Sequence, residues 1–262
     1  MRKIGINLDA IDGICAKDYV NTIKELGFEA AFITPRPDKE IFEEAELLAS
    51  AGITLDTIHA PWKGINNIWL EGDEGEAPLS AFMHYVDLCK AVGAPVAIIH
   101  LSSGENPPPI TDIGRARFAR LVDYAVGKGI NLAFENQRML SNLAWVFEEF
   151  RDVENVGFCW DTGHEECFTG GRRYMPLFGN KLMATHIHDN DCVYNHDLHM
   201  LPFDGSIDFK RVASTLCEYD YSGTVMLEVI VKSDIYKDIS AQKFIERAAK
   251  SAIRLRNLIE NR

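Results

Sequence analysis

The chain has 262 residues, and its 27 Lys and Arg against 39 Asp and Glu give a formal charge of −12. Hydrophobic residues at 47 % and charged residues at 25 % are typical of a globular protein and argue against a disordered chain. The surplus of acidic residues argues against a broad basic surface for nucleic acid or for an anionic membrane.

The sequence contains no apolar run as long as a membrane span, and its first residues enter a strand-like segment instead of the apolar region of a signal peptide. Six cysteines are dispersed without metal-ligand spacing, which indicates reduced thiols with no metal role. We therefore expect a cytoplasmic protein with no membrane partner.

The main repeated pattern is an amphipathic helix that ends in glycine and is followed by a short β-branched run, as at Gly27, Gly52, Gly93 and Gly129. Glycine accepts the left-handed conformation that ends a helix, and the apolar run suits a strand buried on both faces. In chain order, the predicted strands are 3–8, 28–34, 53–59, 95–101, 130–135, 156–160, 183–188 and 223–229. Apolar stripes at helical spacing lie between strands, for example at 82–93, 118–125 and 143–150, and a last one at 244–258 closes the chain.

Eight strands alternating with helices predict a single (β/α)8 TIM barrel, an α/β fold, over residues 1–262. A doubly wound nucleotide-binding sheet is less favoured because no glycine-rich phosphate loop follows the first strand. A serine nucleophile elbow and a two-histidine zinc helix are also missing from the sequence.

Six consecutive predicted strands end in a potential metal ligand. In chain order these are His59, His100, Glu135, Asp161 with His164, His186 with His188, and Glu228. Barrel enzymes collect their active sites at this end of the strands, so we expect these side chains to meet. A single histidine there is more often structural, but buried carboxylates need a partner and Lys and Arg are scarce at these strand ends. A shared divalent metal, Mn, Co, Mg or Zn, is the simplest explanation.

Along nearly the whole chain, the strand order resembles that of the xylose isomerase-like barrels, which include sugar phosphate isomerases/epimerases and endonuclease IV-type apurinic endonucleases. The most specific stretches are 134–136, 161–164, 186–191 and 197–209. The resemblance implies one divalent metal held by Glu135, Asp161, His186 and Glu228. It favours His186 over His188, because the family's ligand stands three residues before Asp189.

The same resemblance leaves two roles open for a further set of residues: substrate binding or the binding of additional metal ions. This set comprises His59, His100, His164, His188, Asp197 and His199. Together with the four metal residues, the members of this set other than His188 fill all nine ligand-type positions of the trinuclear endonuclease. Sugar-directed members, however, often keep several of these histidines to hold substrate hydroxyls or a phosphate.

The favoured hypothesis is a metal-dependent isomerase or epimerase that acts on a sugar, sugar phosphate or related polyol through an enediolate, with Glu135 and Glu228 as general base and acid. Trp62 and Lys63 are candidate substrate-binding residues. Lys63, or Arg172 and Arg173, could meet a phosphate or carboxylate, although a solvated face is the simpler interpretation of the two arginines.

An apurinic endonuclease with up to three Zn ions is the second hypothesis, and a related metal-dependent lyase or dehydratase is the third. The charge of −12, and a segment 189–208 that holds no Lys or Arg, argue against nucleic acid as a partner. Cys192 and Ser141 stand where well-characterised free-ketose 3-epimerases carry Arg and Glu, which puts a free ketohexose substrate in doubt. We expect a small sugar-type substrate, and pairing of exposed barrel helices would make a homo-oligomer.

Overall fold

The protein is a barrel of parallel strands surrounded by helices. This is a computed structural model, and it describes residues 1–232, 234–237 and 239–261. The strands are β1 (Ile4–Asn7), β2 (Ala30–Ile33), β3 (Thr54–His59), β4 (Val96–Ile99), β5 (Asn131–Glu135), β6 (Val156–Asp161), β7 (Leu182–His186) and β8 (Val225–Leu227). Each strand pairs with the next from β1 to β7, and β1 also pairs with β8. The predicted α/β TIM barrel is therefore confirmed.

The barrel closes between β7 and β8 through an isolated parallel bridge of Ile187 with Leu227. The Ile187 N–H donates to the Met226 carbonyl at 2.9 Å, and the Glu228 N–H donates to the Ile187 carbonyl at 3.1 Å. The last strand is shorter than the predicted 223–229, because the Val229 N–H donates to the Asn7 side chain and not to the backbone of a neighbouring strand. We call this junction the β7–β8 seam.

Helices connect the strands on the outside of the barrel. They are α1 (Ala16–Glu25), α2 (Asp38–Ala51), α3 (Glu76–Val92), α4 (Asp112–Lys128), α5 (Leu140–Glu149), α6 (Thr162–Cys167), α7 (Met175–Phe178), α8 (Phe209–Glu218) and α9 (Ala241–Glu260). The four glycines that were predicted to end helices all have positive φ, between 70° and 85°. None of the described helices is long and apolar enough to cross a membrane.

Side chains alternate between the two faces of each strand, and this alternation divides the apolar core and directs the site residues into the barrel. Residues that point outward join one large cluster with the helices, while inward residues form two small clusters. Five inward residues lie two positions before a predicted metal or substrate residue: Ile98, Ala133, Cys159, Ala184 and Met226. Because side chains in a strand alternate with a period of two, each predicted residue also points into the barrel, one layer higher.

Helix α4 packs on Trp69, which is 1 % exposed and donates from Nε1 to the Leu101 carbonyl at 2.7 Å. A Cβ added at Gly114 would lie 2.1 Å from Trp69 Cε3, whereas one added at Gly127 of the same helix meets nothing within 4 Å. We expect Gly114→Ala to lower the free energy of unfolding by about 1–3 kcal/mol, because the overpacked indole must move. Gly127→Ala, the matched control, should raise it by about 0.5–1 kcal/mol. Urea unfolding measures both, and equal values would contradict this account of the packing.

Candidate active site

The carboxyl ends of the strands surround a cavity of about 360 Å³, the site cavity. Most predicted site residues line it, together with residues that the sequence analysis did not single out. The lining includes Asn7, Asp9, His59, Trp62, His100, Glu135, Gln137, Arg138, His164, Phe168, Asp197, His199 and Glu228. The site lies where a barrel places its active site.

At the base of the site, Glu135, Asp161, His186 and Glu228 form one group, the four-ligand group. One potential ligand atom from each lies within 4.8 Å of the others. His186 Nδ1 is 3.4 Å from Glu135 Oε2 and 3.3 Å from Glu228 Oε2. Glu135, Asp161 and His186 are buried, and the Glu228 side chain is 13 % exposed.

The donor atoms of this group fit a divalent cation. Asp161 Oδ2 and Glu228 Oε2 are buried atoms with no hydrogen-bond partner among the described residues. Burying carboxylate oxygens without a partner costs several kcal/mol, and a bound cation removes that cost. Three carboxylates and one imidazole suit Mn, Co, Zn or Mg.

Local structure fixes Asp161 in this position. Its Oδ1 caps helix α6 by accepting a hydrogen bond from the His164 N–H at 2.6 Å, which leaves Oδ2 without a partner and available to the four-ligand group. Its backbone N–H and carbonyl both bond to the Asn136 side chain. Position 163 requires glycine, because a Cβ there would lie 1.9 Å from His188 Cε1. The segment 161–164 therefore has separate structural reasons for its Asp and its Gly.

His59 and His100 approach the outer side of the four-ligand group. Their Nε2 atoms lie 3.1 Å and 2.9 Å from Glu135 Oε2, and 3.1 Å from each other. The Gln137 amide nitrogen lies 3.2 Å from His100 Nε2 and 3.1 Å from His164 Nδ1. His59, His100 and Glu135 thus form a second group that could hold a metal ion or substrate oxygens.

A third group, the loop group, consists of His164, His188, Asp197 and His199. His188 Nε2 is 3.1 Å from Asp161 Oδ1, and His199 Nε2 is 3.2 Å from Asp197 Oδ2. The rings of His188 and His199 stack with centroids 4.1 Å apart. The structure therefore brings together all ten residues that were predicted as metal ligands or as the further set.

The segment 190–208 that supplies Asp197 and His199 is held by Asp189. The Asp189 carboxylate accepts hydrogen bonds from the backbone N–H groups of Gly205 at 2.8 Å, Ile207 at 3.0 Å and Asn190 at 2.9 Å. Within the segment, non-glycine residues have positive φ, including Asn195 at 61° and His199 at 47°. Such strained backbone is typical of functional sites, where the surrounding structure holds it.

The two glutamates have pKa values that shift in opposite directions. Burial alone would raise the pKa of Glu135, but the imidazoles of His186 and His100 outweigh it and hold the pKa well below its usual range. Burial raises the pKa of Glu228, which His186 opposes and the Glu135 carboxylate reinforces. Opposite shifts in a close carboxyl pair are typical of groups with different proton-transfer roles.

The predicted substrate residues outside the strands differ in position. Trp62 is 44 % exposed, lines the cavity, and contacts the His59 ring edge-on at 5.0 Å. Lys63 is exposed and does not belong to the cavity lining. Arg173 pairs with Glu165 at 3.0 Å, and Arg172 is exposed outside the lining, so neither arginine faces the site. Cys192 and Ser141 are also exposed outside the lining.

Several site residues were missed from the sequence. Asn7 ends β1 and is joined to Asp9, just beyond it, by a 2.8 Å hydrogen bond, and Gln137 and Arg138 follow β5. The strand-end rule would have found Asn7 and Asp9 had it been applied to the first strand. Cys159, for which no metal role was expected, lies with Glu135 and His186 in a group that could hold a metal. Burial raises the pKa of its thiol to about 12, so it is a neutral thiol near pH 7.

Known proteins of similar structure include sugar epimerases. D-psicose 3-epimerase from Clostridium cellulolyticum H10 is 17 % identical with a TM-score of 0.76, over 98 % of this chain and 99 % of that one. 3-Keto-D-glucoside 4-epimerase YcjR from E. coli is 17 % identical with a TM-score of 0.74, over 98 % of this chain and 100 % of that one. At these identities the likeness concerns the fold.

In sequence, the chain is 24 % identical to the uncharacterized protein y4fM of Sinorhizobium fredii (strain NBRC 101917 / NGR234), over 85 % of this chain and 80 % of y4fM. The family described as xylose isomerase-like TIM barrel matches residues 20–256. This match spans all the residues of the four-ligand group and confirms the resemblance drawn from the strand ends. The chain belongs to the xylose isomerase-like TIM barrel family.

Proposed function

We propose that this protein is a divalent-metal-dependent isomerase or epimerase that acts on a sugar, a sugar phosphate or a related polyol. The observation that carries the proposal is the pair of glutamates, Glu135 and Glu228, that approach His186 Nδ1 from different strands. The sugar epimerases that share the fold make this chemistry the first to test.

In this proposal the two glutamates move the proton. Glu228 borders the site cavity, so the carboxylate oxygen that does not bind the cation can accept a proton from a substrate carbon. Glu135 Oε2 is held by His59 and His100, which fix the direction of the opposing carboxylate. One carboxylate would remove the proton and the other would return it. Return to the opposite face of the same carbon would invert that stereocentre, and return to the adjacent carbon would move the carbonyl group.

When bound, a divalent ion in the four-ligand group would stabilise the negative charge that develops on two adjacent substrate oxygens. The remaining polar residues would orient the substrate. His164, His188 and His199 can donate to or accept from substrate hydroxyls, and Trp62 provides an apolar surface for a sugar. The cavity of about 360 Å³ suits a small molecule of this class.

Metal content is the first measurement. We expect about one equivalent of Mn, Co, Zn or Mg per chain in protein purified without chelator, and loss of activity on chelation that the metal restores. Asp161→Asn, which removes an unpartnered carboxylate oxygen, should lower this stoichiometry, while Asp123→Asn on exposed α4 should not. Full activity in protein shown to be free of metal would exclude the proposed chemistry.

Replacing Glu228 tests the proton-transfer role. Glu228→Gln keeps the shape of the side chain but removes its basicity, so we expect kcat to fall by at least about 10²-fold with a smaller effect on substrate binding. Glu218→Gln, the same change at an exposed position of α8, serves as the control. Normal turnover by Glu228→Gln would exclude the two-glutamate mechanism, and metal analysis of the variant separates lost chemistry from lost metal.

An apurinic endonuclease with up to three Zn ions is the second candidate, favoured by the His59–His100–Glu135 group and the loop group. Charge argues against this candidate, because a nuclease needs cations to bind the phosphates of DNA and the described lining of the site cavity contains one Lys or Arg. We expect no incision of an abasic-site oligonucleotide by protein loaded with three equivalents of Zn. Incision that is lost in Asp197→Asn would reverse the order of the two candidates. Release of a dehydrated product in the sugar assays would indicate the lyase alternative.

A further inference from the structure

Arg138 is a cation at the site whose role the proposed chemistry leaves unassigned. It lies three residues after Glu135 and is the one Lys or Arg among the described residues that line the site cavity. Its neighbours in the lining include acids from three other elements, namely Asp9, Asp197 and Glu228. The question for this single cation is therefore which group binds it.

The guanidinium is fixed in place by an aromatic stack. Its Cζ lies 3.6 Å from the centroid of the Phe168 ring, and that ring stacks on His164 with centroids 4.5 Å apart. The two groups cannot share one face of Phe168 at these distances, so Phe168 lies between them. The stack ties Arg138 to a histidine of the loop group, and cation–π contact stabilises the orientation of the guanidinium.

One edge of the guanidinium is used by the protein and the other is open. Nε and Nη2 both donate to Asn195 Oδ1, at 3.1 Å and 2.9 Å. Asn195 is itself held in a left-handed conformation, with its N–H donating to the Cys167 carbonyl at 2.9 Å. Nη1 has no acceptor, and no carboxylate forms an ion pair with the guanidinium, among residues 1–232, 234–237 and 239–261.

We propose that Arg138 makes the enzyme selective for substrates that carry an anionic group, a phosphate ester or a carboxylate, which binds the open Nη1–Nη2 edge. The inference rests on the proposed function, because it concerns the substrate of the same site. A guanidinium recognises both groups through paired, charge-assisted hydrogen bonds, and a fixed guanidinium loses little freedom on binding. The other candidate cations, Lys63, Arg172 and Arg173, do not line the cavity.

The test compares ketoses that differ in one terminal group. Isothermal titration of Mn²⁺-loaded protein would measure the binding of D-fructose, D-fructose 6-phosphate and D-fructuronate, and of D-ribulose with D-ribulose 5-phosphate. Inorganic phosphate serves as a probe that is independent of the sugar. The variants are Arg138→Gln, Arg138→Lys and the control Arg172→Gln, an exposed arginine outside the cavity.

We expect at least one anionic ketose to bind at least 10-fold more tightly than its neutral partner, and Arg138→Gln to remove this preference while the neutral Kd stays within twofold. Arg138→Lys should restore part of the preference, and Arg172→Gln should not alter it. The phosphate and carboxylate members show which anion is preferred. Equal binding of neutral and anionic ketoses, a preference that survives in Arg138→Gln, or no binding of any anion would overturn the inference.

A second readout separates this inference from the proposed function. Exchange of carbon-bound hydrogen with solvent deuterium, followed by NMR, reports proton transfer independently of affinity. Exchange with neutral ketoses alone would support the isomerase or epimerase and overturn the role of Arg138. Arg138-dependent binding of an anionic ketose, without exchange or isomerised product from any substrate, would support the anion site and overturn the proposed function.

Discussion

The rest of the site depends on the contacts that the buried Glu135 carboxylate makes with four histidines. Glu135 is 2 % exposed, and its carboxylate lies within 3.4 Å of ring nitrogens of His59, His100, His164 and His186. These histidines come from β3, the end of β4, helix α6 and β7, so one buried charge joins much of the barrel rim. A buried carboxylate needs cationic or hydrogen-bonding partners, and imidazoles can supply both. The remaining carboxylates and histidines are arranged around this centre.

The fold could be predicted from the sequence because one local pattern, a helix that ends in glycine and is followed by an apolar strand, repeats along the chain. Helices that end at Gly93 and Gly129 lead into strands whose inward residues in the layer directly below the site, Ile98 and Ala133, are apolar. The predicted ligands follow those inward residues by two positions, so the alternation of the strand alone aims them at the cavity. This explains why strand-end residues were found by position even where boundaries differed by a few residues.

The residues that were missed depend on contacts between distant segments. Arg138 faces the cavity through Phe168 and Asn195, and no local pattern announces such a contact. Cys159 reaches His186 across neighbouring strands, which cysteine spacing cannot reveal. Lys63 shows the opposite case: it follows Trp62 in a loop, where no strand alternation determines which side chain faces the cavity. Sequence reasoning is therefore strongest for residues on strands and weakest for residues on loops.

The β7–β8 seam lies between two residues of the four-ligand group, since His186 ends β7 and Glu228 follows β8. Elsewhere neighbouring strands are joined by ladders of several paired residues, whereas here the described backbone offers the isolated Ile187–Leu227 bridge. The backbone therefore restrains the separation of these two residues less than it restrains Glu135 and Asp161, whose strands share a full ladder. A cation bound by both residues would cross-link β7 and β8, so the ion would stabilise the closure of the barrel as well as take part in the chemistry.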